Sequence, residues 1–432
     1  MLPQISDFIV GQDTAPRVDK AIACENTYAP SRTDGRNILL VHGLSLSDET
    51  RALTSTGVVT QFSHVYASLS SIYLASTETS DGGYFTPSFT TTRLHKLNGF
   101  TGDGAAEYQA TGVITGRIKD ELSIDEGPDG SLRVVITDDS QSQDFGAQTT
   151  SLVVLEQGGT DLNEVSRVDD IGRGENVESV RFLGERAYVV TYPADQGFFI
   201  DEFGGLPRIP FTDPLFVIDL ADPREPRIRG ELEVDGYSAY IHPLDDDHIV
   251  TVGVNTDPSD GSLTGLSIIV FDVSDPDAPT VLDREDFGNE RFSSEALVER
   301  HAFTYFAAQK ALAIPVQSFN NNGVMETSAL AVFRVDVDAD DAIVPLGDVD
   351  QAPLYQSVDQ GNLVDVFEGP CASVRRSVMI AERDEAFVYA ISSAGMTIAS
   401  LVETEDGKLP SVKTLRFGTL EDEVCDFSGS PL

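Results

Sequence analysis

Two short runs of aspartate are the first residues in this sequence that could do chemistry. The stretch NTDPSDGS (255–262) carries Asp257 and Asp260, and DVDADDA (336–342) carries Asp336, Asp338 and Asp340. Clustered carboxylates in a loop suit a hard divalent cation, above all calcium. Neither run keeps EF-hand spacing. In the second, Asp341 stands where that loop needs glycine, and Gly347 where it needs the closing glutamate. Solvated turns are the simpler expectation, with calcium as the alternative cofactor. Other chemistries leave no usual spacing. There is no G-x-S-x-G elbow, no H-E-x-x-H, no Walker A loop, and no G-x-G-x-x-G that follows a strand and opens a helix. Six histidines (His42, His64, His95, His242, His248, His301) are scattered without ligand spacing. That weighs against zinc hydrolases and nucleotide enzymes. It says little about carboxylate chemistry, whose residues can be gathered from distant segments.

The elements that would position such residues are strands. The chain has 432 residues and is 41% hydrophobic, enough for a substantial core, with 23 Phe, 12 Tyr and no Trp. Its formal charge is −42, from 71 acidic against 29 basic residues. Phosphate binding needs clustered cations, so the charge argues against nucleic acid as a partner, and against an anionic membrane surface. No apolar run approaches the ~18 residues of a spanning segment. The start, MLPQISDFIVGQDTAPRVDK, has neither the basic nor the apolar region of a signal peptide. No extended stretch shows helical periodicity.

A repeat explains the strands. Val217-Ile218-Asp219-Leu220 aligns with Val270-Phe271-Asp272-Val273, Asp222-Pro223 with Asp275-Pro276, and Pro226 with Pro279, always 53 residues apart. Each aligned segment is preceded by two short strands, around Gly184-Glu185 and Asp245-Asp246-Asp247 respectively. One unit is therefore a four-stranded antiparallel meander of about 50 residues. Asp222 and Asp275 are expected to bond nearby backbone N–H groups while the following prolines preset the turn. Further copies occupy 63–114, 121–171, 295–349 and 373–417, which makes six, and 37–61 supplies the last two strands of another. A lone four-stranded sheet cannot bury both faces, whereas radial stacking does. The expected fold is all-β: a β-propeller of four-stranded blades, six clear and one partial, seven in all. Residues 1–36 form a lead segment to the incomplete blade, 37–418 the propeller, and 419–432 a tail.

Several strings carry a resemblance. ESVRFLGERAYVVTY, DPLFVIDLADPREPRIRGELEVDGYSAYIHPLDDDHIVTVG, LSIIVFDVSDPDAP, SSEALVERHAF and ALAIPV are similar to the secreted bacterial and archaeal proteins with a C-terminal β-propeller distantly related to WD40 repeats. The resemblance runs from about Cys24 to Leu401 and is densest between Glu178 and Val316. It implies an exported propeller at the cell surface or outside the cell, with no established catalytic activity to carry over. A protein or glycan of the envelope is the expected partner. Such proteins carry an export signal and further repeats before the region matching CENTYAP, so this chain is expected to be trimmed or short at its N-terminus. The insert PADQGFFIDEFGGLPRIPF (193–211) is longer than the resemblance implies, and its Phe198, Phe199 and Phe203 are the expected partner contact. Export would favour a disulfide. Cys371–Cys425 and Cys24–Cys425 both remain open, the first preferred.

In a propeller the first strand of each blade lines the central channel. Those strands carry Ser179 and Arg181, Tyr237 and His242, Glu295 and His301, Arg375 and Arg376, and Glu121, Ser123, Asp125 and Glu126. Buried charges need partners. The three arginines are expected to pair with Glu121, Asp125 and Glu295 and to tie blades together, with His242 a hydrogen-bonded structural residue. The alternative is a calcium-assisted hydrolase or lyase built from Asp125, Glu295, His242 and Arg181.

Overall fold

Alternating side chains decide how the strands stack. In a computed structural model of the chain, the strand Ala311–Phe319 sends Leu312, Ile314 and Val316 into one apolar cluster and Ala311 and Ala313 into another. Its partner strand Met325–Val335 divides the same way: Ala329, Ala331 and Phe333 on one side, Leu330 and Val332 on the other. Successive residues of a strand face opposite ways. A sheet buried on both faces therefore reads as an unbroken apolar run, such as ALAIPV or ALAVF.

The structure describes residues 4–7, 17–30, 37–44, 53–61, 64–80, 89–99, 106–138, 148–193, 212–257, 259, 262–319, 325–351, 354, 356–359, 362–365, 373–382, 385–402 and 407–417. The chain forms two compact units, Met1–Gly197 with Ile218–Ile228, and Phe198–Val217 with Arg229–Leu432.

The first unit holds an antiparallel pair, Ile38–Gly43 with Thr54–Val59, to which Thr27–Tyr28 adds in parallel. It also holds two complete meanders. One runs His64–Ala67, Ser71–Ser80, Phe89–Asn98 and Tyr108–Thr115; the other runs Ile124–Glu126, Leu132–Asp138, Thr149–Gly158 and Asp161–Ile171. Their facing sides share one core: Tyr73, Ala75, Leu94 and Ala110 from the first meet Leu132, Val134, Val153 and Leu155 from the second. The lead segment adds a hairpin, Gln4–Asp7 with Arg17–Lys20. A further four-stranded sheet takes Glu175–Leu183, Arg186–Pro193, Thr212–Asp219 and Arg227–Asp235 in chain order.

The second unit holds the meander Tyr237–Pro243, His248–Thr256, Leu263–Asp272, Thr280–Phe287 and the one ending Val374–Glu382, Glu385–Ser392, Gly395–Ser400, Ser411–Arg416. Between them in sequence lies the sheet built on Ala311–Phe319, Met325–Val335 and Ile343–Asp350. Its first strand departs from expectation. It is broken into Phe292–Ser293 and Thr304–Phe306, and the residues between form two 3-10 turns, Glu295–Leu297 and Arg300–Ala302. The local cause is capping. The Ser294 hydroxyl accepts from Ala296 N–H (3.1 Å), and the Glu299 carboxylate from His301 N–H (3.0 Å). Glu121 and Ser123 likewise sit in a 3-10 turn rather than a strand, because Asp120 accepts from Leu122 and Ser123 N–H. A short hairpin, Gln356–Asp359 with Asn362–Asp365, was not foreseen by the repeat.

The expected turns recur at fixed places. Asp222 accepts from Arg224 N–H (2.9 Å) and Asp275 from Asp277 N–H (3.0 Å). The residue closing the third strand donates to the turn between the first two: Leu220 to Glu185, Val273 to Asp247, Val335 to Lys310, Leu401 to Ala386. A second contact joins neighbours within each unit. The fourth strand of one sheet touches the turn between the third and fourth strands of the next. Thr111 N–H donates to Thr160, the Ser166 hydroxyl to the Pro223 carbonyl (2.5 Å), Ile343 N–H to Asp283 (2.8 Å), and Asp348 N–H to Gly407 (3.0 Å). At 230 only glycine fits, because a Cβ there would strike the Pro276 carbonyl oxygen. The outer strands are heavily charged, as in Asp283-Arg284-Glu285-Asp286, which discourages edge-to-edge pairing.

Candidate functional site

Side chains from the first strands gather in two places, one in each unit. In the first, a two-residue acid pair is the focus. Asp125 and Glu126 occupy the short strand Ile124–Glu126. Asp125 is bound by Arg133 of its own sheet, whose side chain is only 4% exposed. The same guanidinium donates to the Gly184 carbonyl (2.8 Å) and lies over the Phe182 ring. Asp125 also accepts from Tyr66 across the sheet interface (3.4 Å).

Glu126 is more thoroughly enclosed. Its carboxylate accepts from the hydroxyls of Ser68, Ser70 (2.7 Å), Ser71 (2.8 Å) and Tyr73 (2.9 Å), and pairs with Lys96 at 3.3 Å. Its side chain is 6% exposed. Burial pushes its pKa up, but the four hydroxyls prevail and hold it at about 2. Tyr73 moves the other way: burial, then the hydrogen bond to Glu126, raise its phenol well above the usual range. A carboxylate so saturated is ionised at neutral pH and cannot serve as a general acid. It fastens the 64–115 sheet to the 124–171 sheet.

In the second unit, the strand Tyr237–Pro243 places His242 among aromatic rings. Phe303 lies 4.9 Å away, Tyr305 meets it edge-on at 5.6 Å, and the Tyr240 hydroxyl is 3.5 Å from Nδ1. Tyr237 is half-buried on the same strand. On the 3-10 turns, Glu295 and Glu299 both address Arg376, at 3.7 and 3.2 Å. Glu299 also receives His301 Nδ1 at 2.7 Å. The backbone N–H of His301 is the main cause holding the Glu299 carboxyl below its usual range, helped by the His301 ring and Arg376. Three of the residues singled out in the sequence, Glu295, His301 and Arg376, thus come together around Glu299, which was not singled out. Val298, between the two turns, is 90% exposed. Because Arg376 is itself 41% exposed, replacing it by alanine should change the urea stability by less than about 1 kcal/mol. A loss above about 2 kcal/mol would show that the pair is structural.

Several expectations are corrected. Asp125 takes Arg133 rather than Arg181, Arg375 or Arg376, because the antiparallel register sets Asp125 directly opposite Arg133. Among the described residues Arg181 and Arg375 form no ion pair. The Arg181 Nε is buried without a hydrogen-bond partner there, and the Arg375 carbonyl accepts from Arg376. Asp336 and Asp338 turn toward the ammonium of Lys310, and Asp340 is exposed. Lys310 points there because it closes the preceding turn in a left-handed conformation, φ 49°. Asp257 accepts from Ser259 N–H (2.8 Å) as a turn former. Among the described residues no group of three His, Cys, Asp or Glu side chains could hold a metal. Cys24 is a free, exposed thiol. Asp260, Phe198, Phe199, Phe203, Cys371 and Cys425 lie outside the described residues. Sequence reasoning missed Ser68, Ser70, Ser71, Tyr73, Lys96, Arg133 and Glu299. Only the serine-rich turn SLSS hinted at hydroxyls awaiting an acceptor.

Four-stranded sheets repeated in this register, each apolar on both faces, define a β-propeller. The chain belongs to the family described as the beta propeller domain, whose model matches residues 2–404. An uncharacterized protein of Methanocaldococcus jannaschii is 31% identical over 206 residues, 48% of this chain and 28% of that protein. One of Archaeoglobus fulgidus is 30% identical over 197 residues, 46% of this chain and 26% of that protein. The chain thus spans about a quarter of the length of the curated relatives it matches. Among solved structures, the β-propeller domain of the trilobed protease from Pyrococcus furiosus aligns with a TM-score of 0.33 at 9% identity, covering 84% of this chain and 99% of that one. No helix among the described residues is long and apolar enough to cross a membrane.

Proposed function

We propose that this chain is a non-enzymatic binding propeller, exported from the cell, that presents a contact surface to a protein or glycan of the envelope. One observation carries the reading. The acids a hydrolase would need, Asp125 and Glu295, are each held by an arginine, Arg133 and Arg376. A general acid needs a carboxyl raised toward neutral pH. Burial does raise the carboxyls of Glu178 and Asp348, but neither lies in the Asp125–Glu126 cluster or the Glu295–Glu299 cluster. The contact surface centres on Val298, an apolar side chain almost fully in water beside Glu299, Arg300, His301 and Arg376. An exposed apolar residue ringed by charges of both signs is the usual composition of a contact centre and its rim.

The test is a turnover panel of ester, phosphate and glycoside substrates with purified protein, with calcium and after chelation. No turnover is expected, and no calcium-dependent shift in melting temperature. Turnover abolished by chelation or by Glu295→Gln would overturn the proposal in favour of calcium-assisted hydrolysis.

A further inference from the structure

A cleft of about 650 Å³ opens in the first unit, lined by none of the residues of the Asp125–Glu126 cluster. Three segments build it. The lead segment supplies Lys20, Asn26 and Tyr28, the strand Thr54–Val59 supplies Ser55, and the start of the next sheet's outer strand supplies Glu107 and Tyr108. The volume lies inside the range of small-molecule sites, roughly 300–1,000 Å³.

Its most specific feature is a pair of tyrosines. The Tyr28 and Tyr108 rings stack with centroids 4.9 Å apart and planes 15° apart. Tyr108 is fixed from behind, because its hydroxyl meets Nδ1 of the buried His95 at 2.8 Å. Burial raises the Tyr108 phenol, so it stays neutral. Tyr28 remains 37% exposed on that rigid base. An aromatic face held open to water inside a polar cleft is a platform for a ligand with a flat C–H face. The rim adds one ammonium (Lys20), one carboxylate (Glu107), the Asn26 amide and the Ser55 hydroxyl, itself set by His42 Nδ1 at 2.8 Å. The two charges cancel, so the cleft does not select an ion. The amide and hydroxyl offer donors and acceptors of the kind that pair with vicinal hydroxyls.

We infer that this cleft is a binding site for a neutral oligosaccharide of two or three sugar units, with one pyranose ring lying on Tyr28 and its hydroxyls taken by Asn26, Ser55, Lys20 and Glu107. The inference rests on the proposal that the chain binds rather than turns over its ligands, and it adds to the Val298 contact surface a second site whose ligand has a stated chemical class.

The experiment uses the full chain and a panel of neutral di- and trisaccharides of gluco, manno, galacto and N-acetylglucosamine type. Saturation-transfer NMR detects binding, and calorimetry measures affinity. At least one saccharide should bind, Tyr28→Ala should weaken it at least tenfold, and Tyr28→Phe should leave it within about threefold. Val298→Asp should leave it unchanged. Circular dichroism and melting temperature confirm that each variant is folded; if Tyr28→Ala does not fold, Asn26→Ala and Glu107→Gln take its place with the same expected loss. Absence of binding across the panel, or equal affinity in wild type and Tyr28→Ala, would overturn the assignment. Preference for a zwitterionic dipeptide such as glycylglycine over every saccharide would also overturn it. Release of free sugar from a bound saccharide would instead overturn the non-enzymatic reading and leave the ligand class standing.

Discussion

Replacing Glu126 by alanine should cost about 3–5 kcal/mol, the range for breaking a buried charge pair by removing one partner. The substitution leaves the Lys96 ammonium, 13% exposed, without its carboxylate, and strips four hydroxyls of their shared acceptor. Urea unfolding at pH 7 measures the loss, and hydrogen exchange over 64–138 locates it. A loss below about 1 kcal/mol would show that water replaces the carboxylate without strain. The pair Glu126→Leu with Lys96→Met should recover much of the deficit, because an apolar pair leaves no orphan charge. The pH dependence follows from the depressed carboxyl. In the unfolded chain Glu126 titrates near about 4.3, and in the folded chain at about 2. Its contribution is therefore complete above the unfolded value and fades as pH falls through the folded one. The gap between wild type and Glu126→Gln should be widest at neutral pH and narrow steadily below about pH 4. A gap that stays constant down to pH 2 would show that charge plays no part.

Gly253→Ala should be strongly destabilising to the second unit. Gly253 pairs with Ser238 where the first strand bulges, and a Cβ there would collide with the Tyr237 carbonyl oxygen. Backbone cannot swing aside as a side chain can, so the strand Tyr237–Pro243 must shift, at about 2–3 kcal/mol. His242 lies on that strand, packed against Phe303 and Tyr305. The near-ultraviolet dichroism of those rings should change together with the melting temperature. Gly184→Ala is the control. Gly184 has positive φ, 58°, which Gly253 does not, but nothing lies within 4 Å of where its Cβ would be, so only the backbone preference is lost. If both variants fall equally, the close approach at 253 is not the cause.

The 53-residue offset, the Asp-Pro turns and the unbroken apolar runs were sufficient to read strand order, sheet type and propeller class from the sequence. These are local properties. A run such as ALAIPV sends alternate residues to two faces, and Asp222 and Asp275 accept from the N–H groups of Arg224 and Asp277, two residues on, without help from another blade. Partner choice among charged side chains was not legible. Asp125 finds Arg133 through strand register, and Glu126 finds serines more than fifty residues upstream through the packing of two sheets. The Lys310 ammonium meets Asp336 because Lys310 itself takes a left-handed conformation that aims it there. The break in the first strand at 294–302 turned on two capping side chains, Ser294 and Glu299, whose bonds to N–H groups two residues on replace sheet pairing there. Sequence by itself determined most of the strands and turns, since these depend on near neighbours; the 3-10 turns at 121–123 and 294–302 and the hairpin at 356–365 are the exceptions. The tertiary structure alone decided which charge meets which, because such pairs act over a few ångströms and the chain brings their members together from tens of residues apart.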